Sequence, residues 1–124
     1  MDTEMKYILA ADDEEINRDI IEEILEDDYE INCVNDGTEC LNSIAQRIPD
    51  LLLLDVGMPG LDGLEVCKQL RAEEKTKDLP IFLLSGYAAK ENISVGLEAG
   101  ANRYISKPFT PAELLDAISE EFES

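Results

Sequence analysis

The chain has 124 residues and a formal net charge of −19, with 29 Asp and Glu against 10 Lys and Arg and no histidine. A charge this negative repels phosphate backbones and anionic lipid, so neither direct nucleic-acid binding nor membrane binding is expected. Without histidine, the chain cannot use Ser-His-Asp or Cys-His catalysis, bind zinc through imidazole or carry a phosphohistidine of its own.

Length, cysteine usage and hydropathy together predict one cytoplasmic domain over residues 1–124. A chain of this size buries a sufficient core without disulfides or a structural metal. Its three cysteines form no C-x-x-C pair and follow no secretory signal, which favours a reducing compartment. The apolar runs, such as Leu51–Leu54, are far too short to span a bilayer. The last predicted helix reaches the end of the chain, so no fused effector domain is expected.

Strands and helices are predicted in strict alternation, from apolar runs and from apolar residues at helical spacing. In chain order they are strand 7–11, helix 16–25, strand 29–34, helix 40–48, strand 51–54, helix 64–70, strand 80–84, helix 90–99, strand 103–106 and helix 111–122. Residues 51–54 are apolar on both faces, as in a central parallel strand covered by helices. This (βα)5 pattern predicts a flavodoxin-like doubly wound α/β fold, with a five-stranded parallel sheet of order 2-1-3-4-5 and helices on both faces.

Polar residues follow the predicted strands at the points where they end. Asp12 and Asp13 follow the first strand, Asp55 the third, Ser85 the fourth and Lys107 the fifth. In open α/β sheets, ligands bind outside the carboxyl ends of the strands, where the strand order reverses. For the predicted order this crevice lies between the first and third strands, so the three aspartates are expected to flank it.

The charges at this crevice indicate a divalent metal ion and a phosphoryl group. Three carboxylates carry −3 and raise one another's pKa, Lys107 contributes +1, and a divalent cation would supply the remaining +2. An all-oxygen site favours Mg²⁺ over zinc, with Mn²⁺ as an alternative. Since Mg²⁺ keeps positions open for phosphate oxygens, the predicted substrate is a phosphoryl group, which one of the three carboxylates can accept.

With this order and spacing of motifs, the sequence resembles the receiver domain of response regulators over essentially the whole chain. The segments that carry the resemblance are Asp12-Asp13, the run from Leu51 to Gly63, Ser85-Gly86, the run from Gly100 to Tyr104, and Lys107-Pro108-Phe109. Each motif is weak alone, but their joint placement at successive strand ends is specific. The resemblance implies a phosphorylation-dependent signalling switch of a two-component or phosphorelay system. Such a domain is not an enzyme, beyond catalysing its own phosphorylation and dephosphorylation.

The resemblance assigns roles to the residues of the acceptor and metal site. Asp55 would accept a phosphoryl group from a phosphohistidine on a partner histidine kinase or phosphotransfer protein. Asp13 and Asp55 would bind Mg²⁺ directly, together with the backbone carbonyl of Gly57. Asp12 would act largely through bound water.

The resemblance also implies how the phosphoryl group is sensed. Lys107 would contact the phosphoryl oxygens, and the peptide bond between Lys107 and Pro108 is expected to be cis. The hydroxyl of Ser85 would turn to the phosphate, and Tyr104 would turn inward as that space opens. A downstream protein partner would then bind the face formed by the fourth helix, the fifth strand and the fifth helix.

Two further features bear on phosphate lifetime and on the kinase. Gly57, two residues after the acceptor, has no side chain to position or block an attacking water, whereas the bulky Tyr87 would shield the site. These effects oppose each other, so the lifetime is left open. The acidic first helix resembles a kinase-docking surface, and a partner with basic residues, held by a salt-sensitive association, is expected there.

Simpler interpretations of single motifs stay open. Asp12-Asp13 could stabilise the N-terminus of the first helix, and Lys107-Pro108 could be a plain turn. The chain could also be a receiver domain excised from a hybrid histidine kinase or from a longer response regulator. A small-molecule phosphatase with an aspartate nucleophile is disfavoured by the short loops. A flavodoxin is disfavoured because acidic residues occupy the place of its phosphate loop.

Overall fold

The computed structural model describes residues 5–86 and 90–123, and only the backbone of residues 90–92. Its elements are β1 (Tyr7–Ala11), α1 (Glu15–Leu25), β2 (Glu30–Val34), α2 (Gly37–Gln46), β3 (Leu51–Asp55), α3 (Gly63–Arg71), β4 (Ile81–Ser85), α4 (Lys90–Glu98), β5 (Arg103–Ser106) and α5 (Pro111–Glu123). The strands pair in parallel in the order β2-β1-β3-β4-β5, so the predicted α/β fold is confirmed. Within these ranges, none of the helices is long and apolar enough to cross a bilayer.

Strand β3 lies at the centre of the sheet, with helices packed on both of its faces. Leu52 and Leu54 belong to a core cluster with residues of α2 and α3, while Leu51 and Leu53 belong to a second cluster with residues of α1 and α5. All four leucines are fully buried. Burial of each contributes roughly 1.5–3 kcal/mol relative to exposure, so this strand is a firm anchor for Asp55 at its end.

The loop after β3 is fixed by the start of α3. The carboxylate of Asp62 accepts a hydrogen bond from the amide of Glu65 at 3.0 Å, which caps the helix. Such a cap contributes about 1 kcal/mol. The amide of Gly63 also donates to the carbonyl of Val56 at 3.2 Å. The first turn of α3 is thereby held directly against the end of β3.

Only part of the apolar face predicted for α1 enters the core. Ile21 and Leu25 are buried, but Ile16 and Ile20 are 67% and 47% exposed. Ile20 faces the segment after β5 rather than the sheet, and it lines a cleft there beside Phe109. An exposed apolar strip therefore runs along α1, beside the carboxyl edge of the sheet.

The second strand begins one residue later than its sequence pattern predicts. Tyr29 does not belong to β2 because its amide donates to the carbonyl of Leu25 at 2.9 Å, which completes the end of α1. Its ring instead lies 5.7 Å from the ring of Phe122, measured between centroids. The pairing of β2 with β1 starts at Glu30.

Candidate functional site

Three carboxylates meet at the carboxyl edge of the sheet, in the crevice between β1 and β3. Ala11 pairs with Leu54 across these neighbouring strands, so the next residues, Asp12 and Asp55, emerge side by side. One carboxylate oxygen from each of Asp12, Asp13 and Asp55 lies within 4.8 Å of the others. This spacing suits a single hard cation held by oxygen ligands.

The ammonium group of Lys107 bridges two of these carboxylates. Its Nζ donates to Asp12 Oδ2 at 3.0 Å and to Asp55 Oδ1 at 3.3 Å. The backbone amide of Lys107 donates to the carbonyl of Ser85 at 2.7 Å, which ties the lysine to the end of β4. The peptide bond from Lys107 to Pro108 is cis. Residues at the carboxyl ends of β1, β3 and β5 thus meet in one site.

The side chain of Asp12 is fully buried and held at both oxygens. Oδ1 accepts from the amide of Glu14 at 2.9 Å and, more weakly, from Asn17 Nδ2 at 3.4 Å. Oδ2 accepts from Lys107. Because buried carboxylates are stable only when paired and hydrogen-bonded, these contacts fix the orientation of Asp12.

The backbone of Asp12 is held as firmly as its side chain. Its amide donates to the carbonyl of Val34 at 3.1 Å, and its own carbonyl accepts from Arg18 Nη1 at 2.8 Å. Asp13, next in the chain, has an exposed side chain. The sequence-based candidates did not include Asn17 or Arg18. The only signal in the sequence was that both are polar residues in the early turns of the helix that follows Asp12, which does not show what they contact.

Burial and neighbouring charges shift the pKa values of Asp55 and Lys107 upward. Burial raises the pKa of Asp55 above 3.8, and Asp12 adds to this, against the lowering effects of Lys107 and of the Gly57 amide. Burial opposes the charge of Lys107, but its hydrogen bond to Asp12 and the two carboxylate charges together raise its pKa above 10.5. The raised pKa of Lys107 favours its charged form, and the raised pKa of Asp55 means that ionisation of this carboxyl group costs the fold stability.

Replacement of Asp55 by asparagine is expected to stabilise the metal-free fold at neutral pH. Because the pKa of Asp55 is higher in the folded than in the unfolded chain, its ionisation destabilises the fold as pH rises through the folded pKa. An asparagine side chain would keep the shape without the charge, so Asp55→Asn should raise the free energy of unfolding by on the order of 1 kcal/mol at pH 7. Urea denaturation from about pH 4 to pH 7 measures this gain, which should shrink towards acid as Asp55 protonates.

The matched control for that prediction is Asp19→Asn, because Asp19 is exposed on α1 and lies outside the carboxylate cluster. Its free energy of unfolding should show no gain of this size. A neutral-pH stability for Asp55→Asn equal to or below that of the parent would contradict the argument.

The remaining candidates are Ser85, Tyr104, Gly57 and Tyr87. Ser85 is buried at the end of β4, and Tyr104 of β5 is half-buried against the core cluster on the α4 side. Gly57 is exposed, and its amide lies 3.4 Å from Asp55 Oδ1. Tyr87 lies outside the described residues. The roles of these four residues remain predictions.

Comparison with known proteins identifies the family. The family model described as response regulator receiver domain matches residues 8–119. The chain therefore belongs to the response-regulator receiver domains of two-component signalling. Domains of this family are generally not classical enzymes.

Relatives of known sequence or structure agree with this assignment. The chain is 45% identical over 112 residues to response regulator MprA of Mycobacterium leprae, covering 90% of this chain and 48% of that protein. The chain thus spans about half the length of the curated relatives it matches. The structure of chemotaxis protein CheY4 of Vibrio cholerae matches with a TM-score of 0.89 and 32% identity, over 94% of this chain and 98% of that one.

A third relative is described with a metal ion. It is the receiver domain of sensor histidine kinase PA1611 from Pseudomonas aeruginosa, with a magnesium ion coordinated in the active-site cleft. Its TM-score is 0.89 at 31% identity, over 97% of this chain and 99% of that one.

Proposed function

We propose that this domain is a phosphorylation-dependent switch that accepts a phosphoryl group on Asp55 and passes the signal to a protein partner. One observation carries the proposal: Lys107 bridges Asp12 and Asp55 in a crevice where three carboxylates converge. A buried acceptor carboxylate, beside a cation and a set of hard oxygen ligands, suits phosphoryl transfer.

The donor set fits a divalent magnesium ion, with Mn²⁺ as the alternative. Asp12, Asp13 and Asp55 offer only hard oxygen ligands, and their convergent negative charge exceeds what Lys107 balances. The proposed direct ligands are Asp13, Asp55 and the carbonyl of Gly57, with Asp12 acting through water. The metal ion supplies charge neutralisation for the phosphoryl oxygens. The magnesium ion described for the PA1611 receiver domain supports this assignment.

The proposed transfer is an in-line displacement at phosphorus. A carboxylate oxygen of Asp55 forms the new O–P bond as the bond from phosphorus to the donor's imidazole nitrogen breaks, and the imidazole leaves with that electron pair. Lys107 then pairs with the phosphoryl oxygens, since its ammonium already lies 3.3 Å from the acceptor carboxylate. The same site catalyses the later hydrolysis, so the domain acts only on itself.

The proposed switch runs from Ser85 to Tyr104. Ser85 ends β4 beside the acceptor strand, and Ser106 of β5 is its register partner. A Cβ built on Gly96 of α4 would lie 2.9 Å from the ring atom Cδ2 of Tyr104, so the ring packs directly against that helix. A turn of the Ser85 hydroxyl to the phosphate would therefore be relayed through Tyr104 to the α4-β5-α5 face, where the output partner binds.

We further propose that α1 receives the cognate kinase or phosphotransfer protein. The exposed side chains of Ile16 and Ile20 lie among acidic neighbours, and a cleft of about 290 Å³ beside Ile20 is also lined by Lys107 and Phe109. Apolar contacts with a basic rim would complement this surface, whereas nucleic acid or a membrane would not. A cytoplasmic location follows from such a partner, and residues 1–124 form the whole receiver unit in this proposal.

The test uses acetyl phosphate as donor and intact mass as readout. With Mg²⁺, the parent should gain the mass of one HPO₃ unit, and Asp55→Asn should gain none. With Mg²⁺ removed by chelation, the parent should also gain none. An unmodified parent, or equal adducts on parent and variant, would contradict the proposal. Sustained turnover of small phosphate esters would instead favour the phosphatase alternative.

Tyr87 is expected to slow the hydrolysis of the phosphorylated state by crowding the approach of water. Tyr87→Ala should therefore lose its adduct faster than the parent, roughly threefold to tenfold, in a mass-resolved decay after donor removal. Tyr29→Ala, a tyrosine on the opposite edge of the sheet, is the control and should decay at the parent rate. A Tyr87→Ala decay no faster than the parent's would overturn the shielding role.

A further inference from the structure

We propose that Arg18 is a positioning residue for the metal site, acting through the backbone of Asp12. The inference rests on the proposed Mg²⁺-dependent function and adds a residue to it. Arg18 reaches back from α1 across six positions, and its Nη1 donates to the Asp12 carbonyl at 2.8 Å. A guanidinium donor makes a charge-assisted hydrogen bond, stronger than one between neutral groups.

The bond from Arg18 sets the position of two metal-site aspartates at once. The amide of Asp12 is already held by Val34 of β2, at 3.1 Å. With its carbonyl held as well, the peptide plane between Asp12 and Asp13 is fixed, because that bond is planar. Because the side chain of Asp13 is exposed, the orientation of this peptide plane is the main restraint on the position of its carboxylate.

Asn17 supplies a second, side-chain restraint from the same turn of α1. Its Nδ2 donates to Glu14 Oε1 at 2.9 Å and lies 3.4 Å from Asp12 Oδ1. It therefore ties the carboxylate of Glu14 to the helix start, beside the metal site. Asp12 keeps Oδ2 for Lys107 and, in the proposed function, for the water shell of the metal.

Charge and geometry predict opposite effects when Arg18 is removed. Loss of a positive charge makes the site more negative, which by itself would tighten Mg²⁺ binding. Loss of the restraint on Asp12 and Asp13 would weaken it, because partners that orient metal ligands typically contribute about 10- to 100-fold in affinity. A weakened affinity therefore identifies positioning, and not charge, as the role of Arg18.

Arg47 provides a matched control for both charge and stability. It makes a two-pronged ion pair with Glu30, at 2.6 and 3.0 Å, and its guanidinium lies 4.0 Å from the ring centroid of Tyr7. Tyr7 and Glu30 begin β1 and β2, so this arginine packs at the opposite edge of the sheet from the metal site. Arg47→Met removes one positive charge and one set of structural contacts, as Arg18→Met does.

The experiment is calorimetric titration of Mg²⁺ into the parent, Arg18→Met, Arg47→Met and Asp13→Asn, with thermal melts of each metal-free protein. Arg18→Met should bind Mg²⁺ roughly tenfold more weakly than the parent, and Arg47→Met within about twofold of it. An affinity for Arg18→Met within about twofold of the parent, or tighter, overturns the inference. Equal weakening in Arg47→Met also overturns it, since the effect would then be general.

Two further results complete the test. If Arg18→Met does not fold, Arg18→Gln takes its place, because glutamine keeps a polar side chain but is two bonds too short to reach the carbonyl of Asp12 as Arg18 does. Weakened Mg²⁺ binding is again expected in this variant, and parent-like affinity overturns the inference. A parent that binds no Mg²⁺, or Asp13→Asn that binds it as the parent does, would overturn the proposed metal site itself. If the parent binds Mg²⁺, Asp13→Asn binds it more weakly and the Arg18 variants bind it as the parent does, only the role of Arg18 is overturned.

Discussion

Replacement of Lys107 by methionine is expected to tighten Mg²⁺ binding and to slow phosphoryl transfer to Asp55. In the metal-free site, Lys107 occupies Asp12 Oδ2 and Asp55 Oδ1 with its ammonium group. A divalent cation competes for the same carboxylates, so Lys107→Met should bind Mg²⁺ roughly threefold to tenfold more tightly. Transfer should slow by about 10- to 100-fold, because the donor that stabilises charge on the phosphoryl oxygens is lost.

These opposite effects separate the proposed role of Lys107 from a purely structural one. A structural lysine would change metal affinity and transfer rate together, through loss of folded protein. The measurements are calorimetric Mg²⁺ titration and the rate of adduct formation from acetyl phosphate at saturating Mg²⁺. Lys75→Met is the control, since Lys75 is exposed and lies outside the site. Weaker Mg²⁺ binding, or an unchanged rate, in Lys107→Met would contradict the account.

Gly63→Ala is expected to destabilise the fold by about 2–3 kcal/mol, in the upper part of the range for overpacking of a close contact. A Cβ at Gly63 would lie 2.4 Å from the backbone oxygen of Asp55 and 3.0 Å from the Cα of Val56. Both contacts are with backbone, so no side-chain rotation relieves them. Because the clash displaces the acceptor strand itself, adduct formation on Asp55 should slow as well.

Gly57→Ala is the matched control for that substitution. Gly57 lies in the same loop, but a Cβ there would have no atom within 4 Å. Its free energy of unfolding in urea should stay within about 0.5 kcal/mol of the parent's, as for ordinary surface substitutions. The prediction would be contradicted by parent-like stability of Gly63→Ala, or by a similar loss of stability in Gly57→Ala. Either result would show that the close approach of Gly63 to Asp55 does not determine the stability of this loop.

The strand pattern was sufficient to predict both the fold and the place of the site. Leu51–Leu54 is typical of a strand buried on both faces, and a parallel sheet brings the ends of its strands to one edge. Asp12 and Asp55 were therefore expected to meet, and they do so through the register of β1 with β3.

What the sequence could not predict depends on contacts between distant segments. Apolar spacing gave no way to tell that Ile16 is exposed and that Ile20 faces the segment after β5 and not the core. The need for glycine at position 63 arises because its Cα packs against the backbone of Asp55 and Val56, a contact that exists only in the folded loop. Likewise, the bond from Arg18 to the carbonyl of Asp12 depends on a side-chain rotamer and on the loop between them, not on a residue pattern.

The most direct test of the central claim is to locate the phosphoryl group chemically. Borohydride reduces an aspartyl phosphate to homoserine, so peptide mapping after reduction identifies the acceptor residue. After treatment with acetyl phosphate and Mg²⁺, the account predicts homoserine at position 55 and at no other aspartate, and none when Mg²⁺ is withheld. Homoserine at position 12 or 13, phosphate retained on Ser85, or no reduction product at all would contradict it.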